Sequence, residues 1–446
     1  MRIAFAINGT RGDVQPALVL AHALTERGHH VRIGVPPNMV TFARQCGVDT
    51  VTLGHDTREH MAQVRRIRAA AGRNPIRRLR AVLATRDAGW AEMVADIGAV
   101  TEGADVLVTG FVTEQIALAY ADARRIPLVS LHHAPVRPNR SVGPMPGLPL
   151  GDGPRSIRAQ WAVVETLMST LTRRRENRLR SALGCPPARG SLFARLRRTP
   201  GVEIQAYDPL FCLDSDALWR KHSRTRHRPV TGFIGLPEAL RNRLTNTRAD
   251  RELDAWLAAG DPPVYVGFGS MPLRDPDALH AAVRGVAQEL DVRILVCLGW
   301  NDVSDGPSLT STDRIRFESA VDHHAVFSRC AAIVHHGGAG TSAAALRAGR
   351  PSVICWYGSD QPFWGERFEH LGIGVSMPAS RLDAGTLTAA VRTALSPELR
   401  RRALDSANTM TGNTEAITRA VELIEEATQS GHPLDRPTTR RLRLVA

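Results

Sequence analysis

The feature that most narrows the fold is the order of apolar and glycine-bearing stretches at the start of the chain. "RIAFAI" is a short apolar run, "NGTRGD" a polar turn, "VQPALVLAHALTERG" an apolar-periodic segment closed by glycine, and "HHVRIGVPP" a second apolar run. Strand, turn, helix and strand in that order make a βαβ unit. Its strands must pair in parallel, and a parallel sheet needs helices on both faces.

The alternation continues and then restarts. "ADVLVTG" and "IPLVSLHH" read as strands around the helical "TEQIALAYADARR". Past the middle, "PPVYVGFGSM", "VRILVCLGW", "AAIVHHGG" and "PSVICWY" are strands, separated by the helical "DALHAAVRGVAQELD" and "TSAAALRAG". With 446 residues the chain exceeds one comfortable core, so two doubly wound α/β domains in tandem are expected. The first is placed at residues 1–215, a linker at 216–232, the second domain at 233–425 and a tail at 426–446. The linker assignment rests on "LFCLDSDALWRKHSRTRHRPVTGFIG", which is polar, basic and without a hydrophobic period. Two further segments stand out. "REHMAQVRRIRAAAGRNPIRRLRAVLATRDAGW" is arginine-studded and reads as a solvated helical face, with a flap over a cleft as the alternative. "VRPNRSVGPMPGLPLGDGP" reads as a long loop after a strand, a place where substrates are contacted.

Composition removes several chemistries. The formal charge is +13, yet the chain has one lysine, Lys221, in a run without a glycine turn. A Walker A loop and a Schiff-base cofactor site both need a placed lysine, so neither is expected. Aromatics are 5 % of residues, which argues against a base-stacking nucleic-acid binder. The six cysteines, Cys46, Cys185, Cys212, Cys297, Cys330 and Cys355, form no CxxC pair and suggest reduced thiols. "MRIAFAI" is too short for a signal peptide or a membrane span. A soluble cytoplasmic protein is therefore expected, without stable membrane insertion and with peripheral contact left open.

"VHHGGAGTS" carries the chemistry. A strand delivers the chain to a glycine turn and a helix begins at once, so its first N–H groups have no partner and its dipole is positive there. Gly337, Gly338 and Gly340 let the backbone approach a bulky anion, Thr341 adds a hydroxyl, and His335 or His336 adds a side-chain donor. The competing reading is a tight turn with Thr341 as helix cap. The loop is not GxGxxG and lacks the following ribose acid, which weighs against a nicotinamide oxidoreductase. "GFGSM" (Gly267 to Met271) and "GSDQPFW" (Gly358 to Trp364) end two further strands and would converge on the same crevice. Asp360 and Gln361 there offer a carboxylate and an amide suited to sugar hydroxyls.

"HHGGAGT", "GSDQPFW", "NGTRGDVQP" and "VTGFIGLP…VYVGFGSM" together resemble glycosyltransferase family 1, in its bacterial antibiotic and sterol glucosyltransferase branch. The resemblance spans nearly the whole chain. It implies the GT-B fold: two facing Rossmann-like domains with a cleft between them, acceptor bound by the first and nucleotide sugar by the second. It also implies a carboxy-terminal helix crossing back to the first domain, placed at "TEAITRAVELIEEAT". Carried onto this chain, the family pattern makes His335 and the Gly337–Thr341 backbone diphosphate ligands, and turns Ser270 to the phosphates. Asp360 and Gln361 would grip hexose hydroxyls, and Trp300 would stand at the rim near the base. In "FESAVDHHAVF", Val321 and His323 match a Val-Pro-His segment that contacts the base, but Asp322 replaces the proline. Ala343 replaces the ribose glutamate of plant relatives. UDP is the expected nucleotide, dTDP the alternative.

Asp13 of "GTRGDVQP" is the candidate catalytic base, with Thr10 positioning it or the acceptor. Local sequence equally allows a first-turn helix acid. The plant pattern has a histidine at this position and a relay aspartate where this chain has Gly110. His132 and His133 of "SLHHAP" are reserve candidates, more often structural at a strand end. "DSD" (Asp214 to Asp216) resembles a metal-binding DxD but lies in the expected linker, and no metal or other cofactor is expected. The resemblance implies an inverting, metal-independent, UDP-dependent hexosyltransferase. It would move glucose to a hydroxyl of a lipophilic small molecule such as a macrolide or ansamycin, with a sterol or glycolipid as alternative acceptor. A non-catalytic, ligand-binding relative is the alternative of another class.

Overall fold

A computed structural model describes residues 1–71, 89–144, 151, 153–199, 201–211, 226–244, 247–271, 276–300 and 311–429. Lys221, Asp214–Asp216, most of the expected linker, the middle of the arginine-rich stretch and all of the tail past 429 lie outside the described residues.

Seven strands form the first sheet: β1 (Arg2–Ala6), β2 (His30–Val35), β3 (Asp49–Thr52), β4 (Val106–Gly110), β5 (Leu128–His132), β6 (Gly201–Gln205) and β7 (Arg226–His227). Six form the second: β8 (Val264–Gly267), β9 (Ile294–Cys297), β10 (Ile315–Glu318), β11 (Ala332–His335), β12 (Ser352–Trp356) and β13 (Gly374–Pro378). The spatial orders are β3-β2-β1-β4-β5-β6-β7 and β10-β9-β8-β11-β12-β13. Every pairing is parallel. Each sheet thus runs outward one way from its first strand, then reverses and runs the other way, the doubly wound order. The two sheets with their helices make the GT-B architecture.

The segment read as linker, 216–232, contains a strand. Arg226–His227 pairs with Gly201 and Val202 and ends the first sheet. It reads as polar because its arginine serves the interior: Arg226 Nε donates to Glu203 at 3.0 Å, and both residues are buried. The first domain is also completed from the far end of the chain. Helix Asn413–Gln429 lays Ala416, Ala420, Val421 and Ile424 into the core formed by Val14, Leu18 and Ile33. Glu425 of this helix accepts from Arg27 (2.8 Å) and pairs with His29 (2.9 Å). The apolar spacing at 416, 420 and 424 is one helical stripe, and that stripe is what seats it.

At the junction an aromatic cluster joins the domains. Tyr207 and Phe211 come from the first, Phe233, Trp364 and Phe368 from the second, with Phe211 and Phe233 ring centroids 5.3 and 5.5 Å from Trp364.

Candidate active site

Where a doubly wound sheet reverses, the loops leaving the two central strands diverge and open a crevice at their carboxyl ends. In the first sheet those strands are β1 and β4, and in the second β8 and β11. The loop after β1 carries Thr10 and Asp13, that after β8 carries Ser270, and that after β11 carries the histidine–glycine loop. These candidates therefore stand at the two reversal points, while Asp360 and Gln361 follow the neighbouring β12.

Helix Arg11–Glu26 starts shortly after β1, with Thr10 as its cap. Asp13 Oδ2 accepts the Thr10 N–H at 2.8 Å and its hydroxyl at 3.4 Å, and Thr10 Oγ1 accepts the Gly12 N–H. Asp13 is thus the first-turn acid that local sequence allowed, and it also lies in the cleft. Burial raises its carboxyl above the ordinary carboxylate value, and the Thr10 bonds hold part of that rise back. Gly110 closes β4, and the side chain nearest to it is that of Ile7, so this position offers Asp13 no relay.

Asp360 meets Asp13 from the second domain. It precedes helix Gln361–Leu371, and its Oδ2 accepts Trp364 Nε1 at 2.8 Å. Burial raises its carboxyl, the Trp364 bond lowers it, and the charge of Asp13 raises it again. His133 shares this space. Burial holds its imidazole down to about 4, against the field of Asp360 and a hydrogen bond to the Asp13 backbone. Two half-buried carboxyls and a neutral imidazole, drawn from both domains, thus share one crevice. His132, by contrast, faces inward: it pairs with Glu114 at 3.3 Å within a buried group that includes Arg137 and Glu203.

Helix Ala339–Arg347 begins at Gly338, which provides no side-chain cap. Thr341 lies within the first turn and is not the cap. The leading N–H groups are therefore open to an anion. Gly337 holds φ +83°, and a Cβ there would fall 2.7 Å from Ile354 Cγ2. The Gly337 N–H donates to His335 Nδ1 at 3.1 Å. Burial, then the fields of His336 and His323, hold His335 well below its usual value. Its ring is neutral, so the proton sits on Nε2, which is buried without a hydrogen-bond partner among the described residues. His336 occupies the crease between two loops. A Cβ on Gly338 would come 2.4 Å from its Nε2 and one on Gly269 would come 3.3 Å from its Cε1. Sequence reading places His335 above His336, and the doublet itself is the only signal for the second.

The remaining candidates are tied more tightly to the protein. Gln361 Oε1 accepts the Tyr357 N–H at 2.7 Å, and its amide nitrogen lies 3.3 Å from Met271 Sδ. Its carboxamide braces two loops of the second domain against each other. Trp300 N–H donates to Gly269 O at 3.0 Å, and its ring packs on the first-domain core. His323 stacks on Phe327 at 4.5 Å and its Nε2 lies 3.2 Å from Tyr265 Oη. Val321 packs beside that group. Asp322, standing where the family pattern has proline, caps helix His323–Phe327 by accepting the His324 N–H at 3.0 Å and pairs with Arg241 at 3.3 Å. Among the described residues no three His, Cys, Asp or Glu side chains are grouped to hold a metal ion.

Residues 3–125 match the glycosyltransferase family 28 N-terminal domain, and residues 281–425 match the C-terminal domain of erythromycin biosynthesis protein CIII-like chains. An uncharacterized glycosyltransferase of Mycobacterium tuberculosis is 35 % identical over 428 residues, covering 96 % of this chain and 99 % of its own. The chain belongs to the antibiotic-type glycosyltransferases of family 1. Glycosyltransferase GtfE of Amycolatopsis orientalis is 32 % identical over 97 % of this glycosyltransferase and 99 % of its own length. The fold is shared with the solved glycosyltransferase of kitacinnamycin, at a TM-score of 0.67 and 19 % identity over 96 % and 99 % of the two chains. It is shared also with glycosyltransferase VinC, solved in complex with dTDP, at 0.60 and 19 % over 96 % and 100 %. No helix among the described residues of this glycosyltransferase is long and apolar enough to cross a membrane.

Proposed function

We propose that this glycosyltransferase moves a hexose, glucose from UDP-glucose in the first instance, onto a hydroxyl of a lipophilic small molecule with inversion at the anomeric carbon. The observation that carries the proposal is the approach of Asp13 to Asp360 across the cleft, on the side where an uncapped helix start and a neutral histidine donor wait for an anion.

In this scheme the diphosphate sits on the N–H groups from Ala339 onward, with His335 Nε2–H as a further donor. Ser270 faces the phosphates from the loop after β8, and Asp360 takes a hexose hydroxyl. Asp13 removes the proton of the acceptor hydroxyl as that oxygen attacks C1. The bond from C1 to the diphosphate oxygen breaks, its electron pair leaves with the nucleoside diphosphate, and an α-linked donor yields a β-glycoside. A carboxylate at its ordinary value near 3.9 is a weak base for an alcohol, and the burial of Asp13 works in the needed direction. The helix dipole and backbone donors supply the leaving-group stabilisation, so no metal enters the proposal.

A dTDP-sugar is the second reading, favoured by the dTDP bound to VinC. The test is incubation with UDP-glucose and dTDP-glucose against a panel of hydroxylated polyketides and sterols, reading nucleotide release and product mass, with Asp13→Asn alongside. A hexose adduct that disappears in the variant supports the scheme. Tight nucleotide binding without turnover of any donor would replace it with the non-catalytic reading.

A further inference from the structure

Helix Pro154–Ala182 carries an exposed apolar face that the proposed chemistry leaves unused. Val163 is 65 % exposed, Leu167 54 % and Met168 48 %. Val163 and Leu167 lie one turn apart, and the same stripe continues to the exposed Arg174 and Arg178.

The register of this helix shows where the face stands. Gln115 Nε2 donates to Thr172 Oγ1 at 2.9 Å and to Glu176 Oε2 at 2.8 Å, and Arg180 donates to Asp122 at 2.8 Å. The helix therefore runs alongside helix Glu114–Arg124 in the same direction. Its residues before Thr172, about 25 Å of helix, project past the start of that shorter helix. That start is the carboxyl end of β4, the cleft edge of the acceptor domain. Phe111 and Val112, in the turn at this edge, are themselves 49 % and 53 % exposed.

The exposed charge on the helix is of one sign. Arg155, Arg158, Arg173, Arg174 and Arg178 are exposed. Its two acids turn inward: Glu165 accepts from Ser191 at 2.8 Å and lies 3.6 Å from Arg197, and Glu176 is buried against Arg195. The exposed surface of the helix is thus apolar in the middle and carries arginines towards both ends. A second copy docked symmetrically on this face would set arginine against arginine, which disfavours a self-interface. Acyl chains beneath a layer of phosphates match both features together.

We propose that this edge of the acceptor domain docks peripherally on an anionic lipid bilayer and holds the cleft mouth at its surface. The docking depends on neither the donor nor the acceptor, so it stands or falls separately from the proposed reaction.

The experiment is sedimentation of the full chain with vesicles of phosphatidylglycerol and phosphatidylcholine, and with phosphatidylcholine alone. Three proteins are compared: wild type, Val163→Glu/Leu167→Glu, and Arg155→Ser/Arg158→Ser/Arg174→Ser. Thermal melting checks that each variant is folded. The expected result is binding to the anionic vesicles only, weakened by added salt. The glutamate pair should weaken it about tenfold or more, and the serine triple about a hundredfold, near fivefold for each arginine. Failure of wild type to sediment with anionic vesicles overturns the proposal. Equal sedimentation of all three proteins overturns it too, by placing the contact elsewhere. A wild-type dimer that the glutamate pair splits, with no vesicle binding, would give the face to a second copy and likewise overturn it.

Discussion

Gly9 and Asp13 occupy one another's space: a Cβ on Gly9 would lie 2.2 Å from Asp13 Oδ2 and 2.5 Å from its Cγ. Gly9 also holds φ +147°, a backbone conformation that side chains rarely adopt. The glycine before the first helix therefore lets the candidate base fold back onto its own cap. Gly9→Ala must displace the carboxyl from its place beside Thr10. The expected outcome is a fall in kcat of about a hundredfold, the scale of a misplaced reacting group. UDP affinity by calorimetry should be unchanged, because no donor residue moves.

Asp13 has two duties, and substitution separates them. Asp13→Asn keeps an oxygen for the Thr10 N–H, so the helix cap survives while the base is lost. Turnover should fall about 10²–10⁴-fold with little change in Tm. Asp13→Ala should lose the cap as well, at about 1 kcal/mol. Comparing the two by thermal melting and by product formation tells cap from base.

The same residue sets a pH dependence. Burial raises the Asp13 carboxyl, so it takes up a proton at a pH above the ordinary carboxylate range. A base must be deprotonated to act, so the rate falls as pH drops through that raised value. The acid limb of kcat/KM should therefore lie above about pH 3.9 and vanish in Asp13→Asn. Stability runs the other way. The folded state holds this proton more tightly than the unfolded chain, so the contribution of Asp13 is most favourable below the unfolded value and declines as pH rises through the folded one. An acid limb left in place in Asp13→Asn would assign it to another group.

The architecture was legible because periodicity reports burial, and the strands of both sheets are buried runs. The frame of the candidate site was legible where it lies in the backbone: a strand, glycines and a helix start can be read in order. It was less legible where a polar residue serves the interior. Arg226 sits in a strand that reads as linker because its partner Glu203 lies 23 positions away in sequence. Gln361 reads as a sugar ligand, yet its carboxamide is bonded to Tyr357 and lies against Met271. Asp322 reads as a lost proline and proves to be a helix cap. His133 differs from His132 only in facing the cleft, and a doublet in sequence cannot say which member does so.

Trp364 connects the domain junction to the proposed sugar site. Its ring is clamped by Phe211 and Phe233, and its indole N–H fixes Asp360. Trp364→Phe keeps an aromatic ring and deletes the donor. One hydrogen bond to a charged group is worth about 1.5–3 kcal/mol. The expected outcome is a KM for UDP-glucose raised about tenfold or more, with affinity for UDP alone intact. Equal losses for UDP and UDP-glucose would mean that the second domain as a whole had shifted.

His335 should act as a neutral donor throughout the working range. Its Nδ1 is taken by the Gly337 N–H, and its Nε2–H has no partner among the described residues. His335→Ala should weaken UDP binding by about 1.5–3 kcal/mol in calorimetry. A ring already held well below its usual value contributes no proton uptake near neutrality. Binding of UDP should then show no heat dependence on buffer ionisation beyond that of the nucleotide. Buffer-dependent heats that vanish in His335→Ala would show that the imidazole is charged when it binds.

The buried ion group behind His132 makes the stability of the first domain sensitive to acid. Glu203 accepts from Arg226 (3.0 Å) and Arg137 (3.2 Å) and forms an ion pair with Arg228 at 3.2 Å, with side chains of 0–6 % exposure. Burial alone would raise its carboxyl, but Arg137, Arg226 and Arg228 hold it down to about 2. A depressed carboxyl contributes stability that is complete above the unfolded value near 4.3 and is lost as pH falls towards 2. Glu203→Gln leaves buried guanidinium groups short of a counter-charge, and should cost about 3–5 kcal/mol at neutral pH. Urea unfolding of both proteins between pH 7 and 3 measures it. The gap should be widest at neutral pH and narrow below about pH 4, as the wild type loses what the variant never had. A gap that stays constant to acid would assign the loss to altered packing around the substituted side chain in β6 and not to charge.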